Sequence, residues 1–133
     1  MTMQLSDAAR NAALDAIETA AGTAPTLTLR SGAAPANCAA ADSGTVLATL
    51  VLPTDWMNAA SGGTKTLLGT WQEAAADAAG TVAHFRIKQG ATCHVQGTVT
   101  ISGGGGDMTL DNNVLAIGQQ VTITAFTLTA GGA

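Results

Sequence analysis

The apolar positions of this chain change their period once, near Pro25. Before it they recur every three or four residues: Leu5, Ala9, Ala13, Ile17 and Ala20 trace one face of a helix predicted over Ser6 to Ala21. Ser6 is a suitable N-cap, since its hydroxyl can accept from an N–H of the first turn. Asp7 places an anion where the helix dipole favours one, and Gly22 supplies the stop. The face is narrow and mostly alanine, so it holds weakly; a fully buried Leu or Ile contributes about 1.5 to 3 kcal/mol. Two arrangements follow: a helix packed over a sheet of its own chain, or an arm docked on a neighbouring subunit.

After Pro25 the period becomes two. Thr26 to Arg30 alternates Leu27 and Leu29 with threonines, as a half-buried strand does. Ser31 to Gly44 is a long loop of small residues, and a connector of that length points to a function or a contact surface. Thr45 to Leu52 is the next strand, ended by Pro53. Thr54 to Ala60 reads as one short helical turn stopped by Gly62 and Gly63. Lys65 to Trp71 is a weaker strand, and Gln72 to Gly80 an alanine-rich loop. Thr81 to Lys88 and Ala91 to Ile101 then form an antiparallel hairpin. Ala83, Phe85 and Ile87 share one face of the first strand, with His84, Arg86 and Lys88 on the other. Cys93, Val95, Val99 and Ile101 share one face of the second, with Gly97 in line where a bulge costs little.

The last third, Gly103 to Ala130, holds a glycine hinge, a polar turn at Asp111 to Asn113, and a final strand whose parity breaks. Val121, Ile123 and Ala125 lie on one parity; Phe126, Leu128 and Ala130 lie on the other. One face cannot bury both sets without an extra residue, so a bulge or bend is predicted near Ala125 and Phe126. Short strands with frequent turn signals give the fold class: mainly β, an antiparallel β-sandwich, jelly-roll-like, with one N-terminal α-helix. The expected organisation is a helical arm over 1–22 and a β-sandwich over 23–133, forming one compact domain.

Composition changes the picture in one respect. Charged residues are only 11% of the 133, against about 25% in ordinary soluble domains. Such a surface gives a free monomer little electrostatic protection against association. The five cations are scattered and the net charge is −4, which does not make the basic stripe of a nucleic-acid binder. No direct nucleic-acid partner is expected. The N-terminus lacks a basic segment followed by an apolar core, so no secretory signal is expected, and no apolar run is long enough to span a membrane. Cys38 and Cys93 do not make a disulfide framework. They read as reduced, partly buried thiols, with a single bridge as the alternative.

Candidate chemistry is sparse. Ser61 to Thr66 (SGGTKT) has the look of a phosphate loop but lacks the glycine before lysine and the required frame. Asp107, Thr109, Asp111 and Asn113 alternate like the start of a calcium loop. However, Asn112 stands where that loop needs glycine, and Gly118 where it needs glutamate. His84 and His94 can lie across the hairpin from each other, which gives a cross-strand pair more often than a metal site. No nucleophile elbow is present. The expectation is therefore no enzyme, no cofactor and no metal. Trp56 and Trp71 are the only tryptophans and serve either the core or a subunit interface. With Leu5, Ile17 and Phe126 they make the set of candidate subunit contacts.

Residues 27–57 (LTLRSGAAPANCAAADSGTVLATLVLPTDWM), 80–88 (GTVAHFRIK), 92–99 (TCHVQGTV) and 105–130 (GGDMTLDNNVLAIGQQVTITAFTLTA) resemble a family of small virion structural proteins of tailed bacteriophages and prophages. The resemblance implies no catalytic residues. It implies a protein made in the bacterial host cytoplasm and located in the virion, with the major capsid protein, copies of itself, or both as partners. The first expectation is a head decoration, or cement, protein. A tail, connector or fibre-associated component is the second. A host-surface, carbohydrate-binding module is the third, and scarce aromatics weigh against it.

Overall fold

A computed structural model describes residues 3–132, so Met1 and Thr2 of the predicted arm and Ala133 lie outside the described residues. The protein is mainly β with one helix, and its sheets are dominated by antiparallel pairing, as the sequence predicts. The helix α1 runs from Asp7 to Ala21. Ser6 caps it by accepting from the Ala9 N–H at 3.1 Å, and Gly22 ends it at φ +81°. The strands are β1 (Thr26–Arg30), β2 (Val46–Val51), β3 (Thr64–Thr66), β4 (Gln72–Glu73), β5 (Gly80–Thr81), β6 (His84–Gln89), β7 (Thr92–Ile101), β8 (Met108–Leu110), β9 (Val114–Leu115) and β10 (Val121–Thr129).

The main sheet has the order β2-β1-β6-β7-β8-β10-β3, with β4 also paired to β10; β5 and β9 form a separate ribbon. All pairs are antiparallel except β7 and β8. In the sheet two strands separate β6 from β10, which in a flat sheet would hold them about 14 Å apart. Instead the Phe85 and Phe126 rings meet edge to face at 5.5 Å. The sheet therefore curls until its two halves face each other, and the core lies between them. Trp71 touches Phe126 at 5.5 Å and Trp56 at 5.9 Å, so all four aromatic residues form one continuous row through that core.

The parallel β7–β8 link needs explanation, because such connections usually take a dozen or more residues. Here Ser102 to Asp107 suffices. The chain doubles back against β7, and glycine makes the approach possible: a Cβ on Gly106 would lie 2.9 Å from the Thr100 nitrogen, and one on Gly104 would lie 2.7 Å from the Thr100 side chain. The Gly106 N–H donates to the Thr100 hydroxyl at 3.0 Å, and the Asp107 carboxylate accepts from the Thr98 N–H and hydroxyl. In place of the predicted hinge, the glycine run is a pinned return.

Both ends of the sheet are covered. On the β2 side, the Asp77 and Ala78 N–H groups donate to the Leu47 carbonyl and the Thr49 N–H donates to Glu73. On the β3 side, residues 57–61 run back beside it. The predicted helical turn at Thr54 to Ala60 is not formed, because the Asn58 N–H bonds the Thr66 carbonyl and Met57 bridges to Leu67. Gly62 and Gly63, both at positive φ, make the two-residue turn of this hairpin. The predicted strand over Lys65 to Trp71 shrinks accordingly to β3.

The helix packs by a face other than the one its alanines suggested. Arg10, Leu14 and Ala21 are buried and Ile17 is half-buried, while Ala9, Ala13 and Ala20 are exposed. The reason is polar. Arg10 donates to the carbonyls of Gly62 and Ala130, and Asn11 accepts from the Gly63 N–H. Asp15 accepts from the Ala60 N–H and Glu18 from the Met57 N–H. Hydrogen bonds to the hairpin, rather than apolar area, orient the helix.

Two irregularities set the registers. In β10 the shift falls at Thr124, one residue from the predicted break, and it lets Val121, Ile123 and Phe126 all face the core. In β7 the shift falls at His94, not at Gly97. Gly97 instead makes room for a ring, since Phe85 lies across it, 2.9 Å from where a Cβ would stand. The hairpin register also separates the histidines, since His84 pairs with Thr98 and His94 stands at the irregularity beside Cys93.

Candidate functional site

The loop over 31–44 is folded down onto the outer face of β1, β6 and β7, and a charged node holds it there. Arg86, expected on a solvent face, is only 1% exposed. Its guanidinium donates to the carbonyls of Asn37 (3.3 Å), Cys38 (2.9 Å) and Ala40 (3.1 Å) and pairs with the Asp42 carboxylate. Arg30 and Lys88 reach the same carboxylate at 3.2 and 2.7 Å. Three cations therefore share one anion, and the loop carbonyls supply the remaining negative potential. The Lys88 hydrogen bond, with help from Arg86 and Arg30, holds the Asp42 carboxyl below the usual carboxylate range. Buried His84 adds a contact from Nδ1 to the Gly32 carbonyl at 2.7 Å, and Gln96 donates to the Pro35 carbonyl.

The loop is also tied covalently. Cys38 and Cys93 form a disulfide, which corrects the expectation of reduced thiols. The bulge at His94 is the cause. It puts Cys93 opposite Lys88, on the face the loop covers, and so out of step with core-facing Val95. The bridge joins residues 55 apart in the chain. Closing a loop of that length stabilises by roughly 2–4 kcal/mol. Reduction, or the Cys38→Ser/Cys93→Ser pair, is expected to lower the unfolding free energy by that amount while leaving the β-sheet circular dichroism intact below the transition. An unchanged midpoint under reductant would show that the node alone carries the loop.

A second feature lies at the C-terminal half of α1. A cleft of about 630 Å³ is lined by Glu18, Thr19, Thr23, Thr54, Asp55 and Met57, among others. At its edge Lys65, 2% exposed, donates to Asp15 at 2.6 Å and sits 2.8 Å from Glu18. Burial alone would push the Lys65 ammonium down, but the two carboxylates outweigh it and hold it above its ordinary value. The Lys65 hydrogen bond and the Ala60 N–H hold Asp15 low in turn. The Lys65 ammonium faces two carboxylates of the helix. The arrangement is a clasp between helix and hairpin.

A third group is acidic. Glu73 accepts from the Thr49 N–H at 2.7 Å, and the Thr49 hydroxyl donates to Asp77 at 2.9 Å. Burial pushes the Glu73 carboxyl up, the Thr49 bond opposes this, and Asp77 adds to it. A carboxyl whose folded pKa is raised favours the fold while protonated and loses that contribution as pH rises through its folded value. Glu73→Gln is therefore expected to raise the melting temperature at pH 7, with the gain shrinking as pH falls into the range where Glu73 is itself protonated. A melting difference independent of pH would refute this assignment.

Of the candidate subunit contacts, Trp56, Trp71 and Phe126 are at most 2% exposed and present no surface to a neighbour; Trp56 donates from Nε1 to the Gly22 carbonyl. Ile17 is half-buried and Leu5 is 42% exposed. Among the described residues the exposed large apolar side chains are Leu5 itself and Met3, Val51, Ile101, Val114 and Ile117. Asp107 and Asp111 bond backbone N–H groups of Thr98 and Thr122, and β8 runs between them. Among the described residues no three His, Cys, Asp or Glu side chains converge as a metal site would need. No helix there is long and apolar enough to cross a membrane.

Sequence reasoning missed Asp42, Asp15 and Glu18. The available signal was scarcity: with five cations and a large loop, each buried cation needs a named anion. Asp15 and Glu18, three apart on one helix, were the pair to test against Lys65. Comparison with protein-family models, curated proteins and solved structures gives no match.

Proposed function

We propose that the protein is a structural component of a tailed-bacteriophage particle, acting as a head decoration protein that binds the major capsid protein and stabilises the shell. The observation that carries this reading is the internal use of every cation. Arg10, Arg30, Lys65, Arg86 and Lys88 are all paired with carboxylates of the same chain, and their side chains are only 1% to 17% exposed. What faces outward is mostly threonine, alanine, glycine and uncharged polar residues, with a few acids and isolated apolar side chains such as Val51 and Ile117. That surface suits close packing against other subunits and gives a polyanion nothing to hold. The resemblance of residues 27–57, 80–88, 92–99 and 105–130 to small virion proteins supports the same reading. A subunit that binds only the assembled shell adds free energy to that state alone.

Quantitative mass spectrometry of purified particles tests this. A copy number comparable to that of the major capsid protein is expected. A copy number of one ring or less per particle would move the protein to the tail or connector, and absence from particles would overturn the reading. The internal salt bridges do not distinguish head from tail; copy number does.

A further inference from the structure

The main sheet has an interior defect. Between β7 and β10 the only strand is β8, and it is three residues long: it pairs with Val99 to Ile101 on one side and with Ile123 to Phe126 on the other. Beyond Met108 the two long strands continue without a partner between them. β7 over 92–97 is paired only with β6, and β10 over 127–129 only with β3.

Backbone parity shows which groups are left open. Phe126 accepts from Leu67 and the Ala130 N–H donates to Gly63, so the even residues of this part of β10 point to the β3 side. The N–H and C=O groups of Thr127 and Thr129 therefore point into the gap. In β7 the Val99 N–H goes to Ala83 on the β6 side and the Thr98 N–H goes to Asp107, so the main-chain groups of Gln96 also face the gap. The gap holds about 370 Å³, and Phe85, Val95, Phe126 and Leu128 are among the residues lining it. Half-buried Val95 and Leu128 lie at its floor, with Gln96, Thr127, Thr129 and the Asp107 carboxylate around them; open strand edges on both sides are what an added strand requires.

The same chain carries a segment of that kind. Met3 and Leu5 alternate with Gln4 and Ser6, and the sequence continues the alternation at Met1 and Thr2. Residues 3–6 belong to no strand or helix, and Met3 is 79% exposed, Leu5 42%. A period-two apolar stripe left largely open to solvent has the pattern of an unpaired strand. It does not lie near its own gap: the Leu5 N–H bonds the Gly132 carbonyl. Gly132 lies beyond the end of β10, and none of residues 3–6 lines the gap.

We propose that Met3 to Leu5 add as a strand in the gap between β7 and β10 of a second copy, with the Met3 and Leu5 side chains against half-buried Val95 and Leu128. Because segment and gap are different surfaces, two copies can exchange segments reciprocally in a closed dimer, or pass them head-to-tail in a ring or an open chain. This inference does not depend on the particle reading; it concerns only how copies of the chain join.

Cross-linking tests it with the full chain. Thr127 points outward beside the gap and Gln4 occupies the polar parity of the segment, so Gln4→Cys on one chain and Thr127→Cys on another should bridge when the two variants are mixed. The expected result is a covalent heterodimer in excess of what either variant gives alone. In light scattering, wild type should self-associate and Met3→Asp should weaken that association by at least about tenfold, the effect of losing one buried apolar side chain. Met3 is too exposed for the substitution to disturb the fold, and matching melting curves check this. Three outcomes would overturn the proposal: no heterodimer above the single-variant background, a wild type that stays monomeric at millimolar concentration, or a Gln4→Cys/Thr127→Cys double variant that closes within one chain at high dilution.

Discussion

Asp42→Asn should destabilise the protein by about 2–4 kcal/mol, a value set below that of a fully enclosed pair because the Asp42 carboxylate is still 31% exposed. The substitution keeps the shape and removes only the charge, leaving Arg30, Arg86 and Lys88 facing one another with carbonyl dipoles as their sole negative partners. Arg86 is the costly member, since its 1% exposure leaves no water to compensate. The pH dependence gives an independent check. Asp42 is held below the ordinary carboxylate range, so its contribution is present above the unfolded pKa and is lost as pH falls through the folded one. Wild type and Asp42→Asn should therefore differ most near neutrality and converge in acid. Equilibrium denaturation at several pH values measures this, and parallel curves down to the lowest pH would show that Asp42 acts through shape rather than charge.

Trp71→Ala should cost about 3–5 kcal/mol, the range for removing a large aromatic side chain from a packed interior. Trp71 is the joint of the aromatic row, touching both Trp56 and Phe126, and its Nε1 donates to the Leu68 carbonyl at 3.2 Å. At 1% exposure it cannot meet a partner directly, so any defect in assembly should track the loss of folded protein. Trp71→Phe keeps part of the row and should retain most of the stability. A Trp71→Ala protein that unfolds like wild type yet fails to assemble would mean that the core opens when copies join.

What the sequence made legible follows a physical rule. Where a strand buries one face by strict alternation, the pattern is sufficient: β1 occupies the predicted Thr26 to Arg30, and the parity break in the last strand announces the bulge at Thr124. Where polar contacts set the geometry, the pattern misleads. The alanine stripe of α1 pointed one way, and hydrogen bonds donated by Arg10 and accepted by Asn11, Asp15 and Glu18 turned the helix another. Cys93 shows the most compact failure. Its alternation with Val95 placed it in the core, and one extra residue at His94 moved it to the face where Cys38 waits. Arg86 could not be read as buried from its own strand, because the loop that buries it lies 44 to 49 residues earlier in the chain.

The pairing of all cations within the chain has a further consequence for how copies or partners meet in solution. Five carboxylates, Asp55, Glu73, Asp77, Asp107 and Asp111, pair with no cation among the described residues and give the outer field one sign. Two such surfaces repel at long range, over a Debye length of about 10 Å at 0.1 M salt. Added salt shortens that reach, so association of copies should quicken as ionic strength rises, the reverse of a steered encounter between opposite charges.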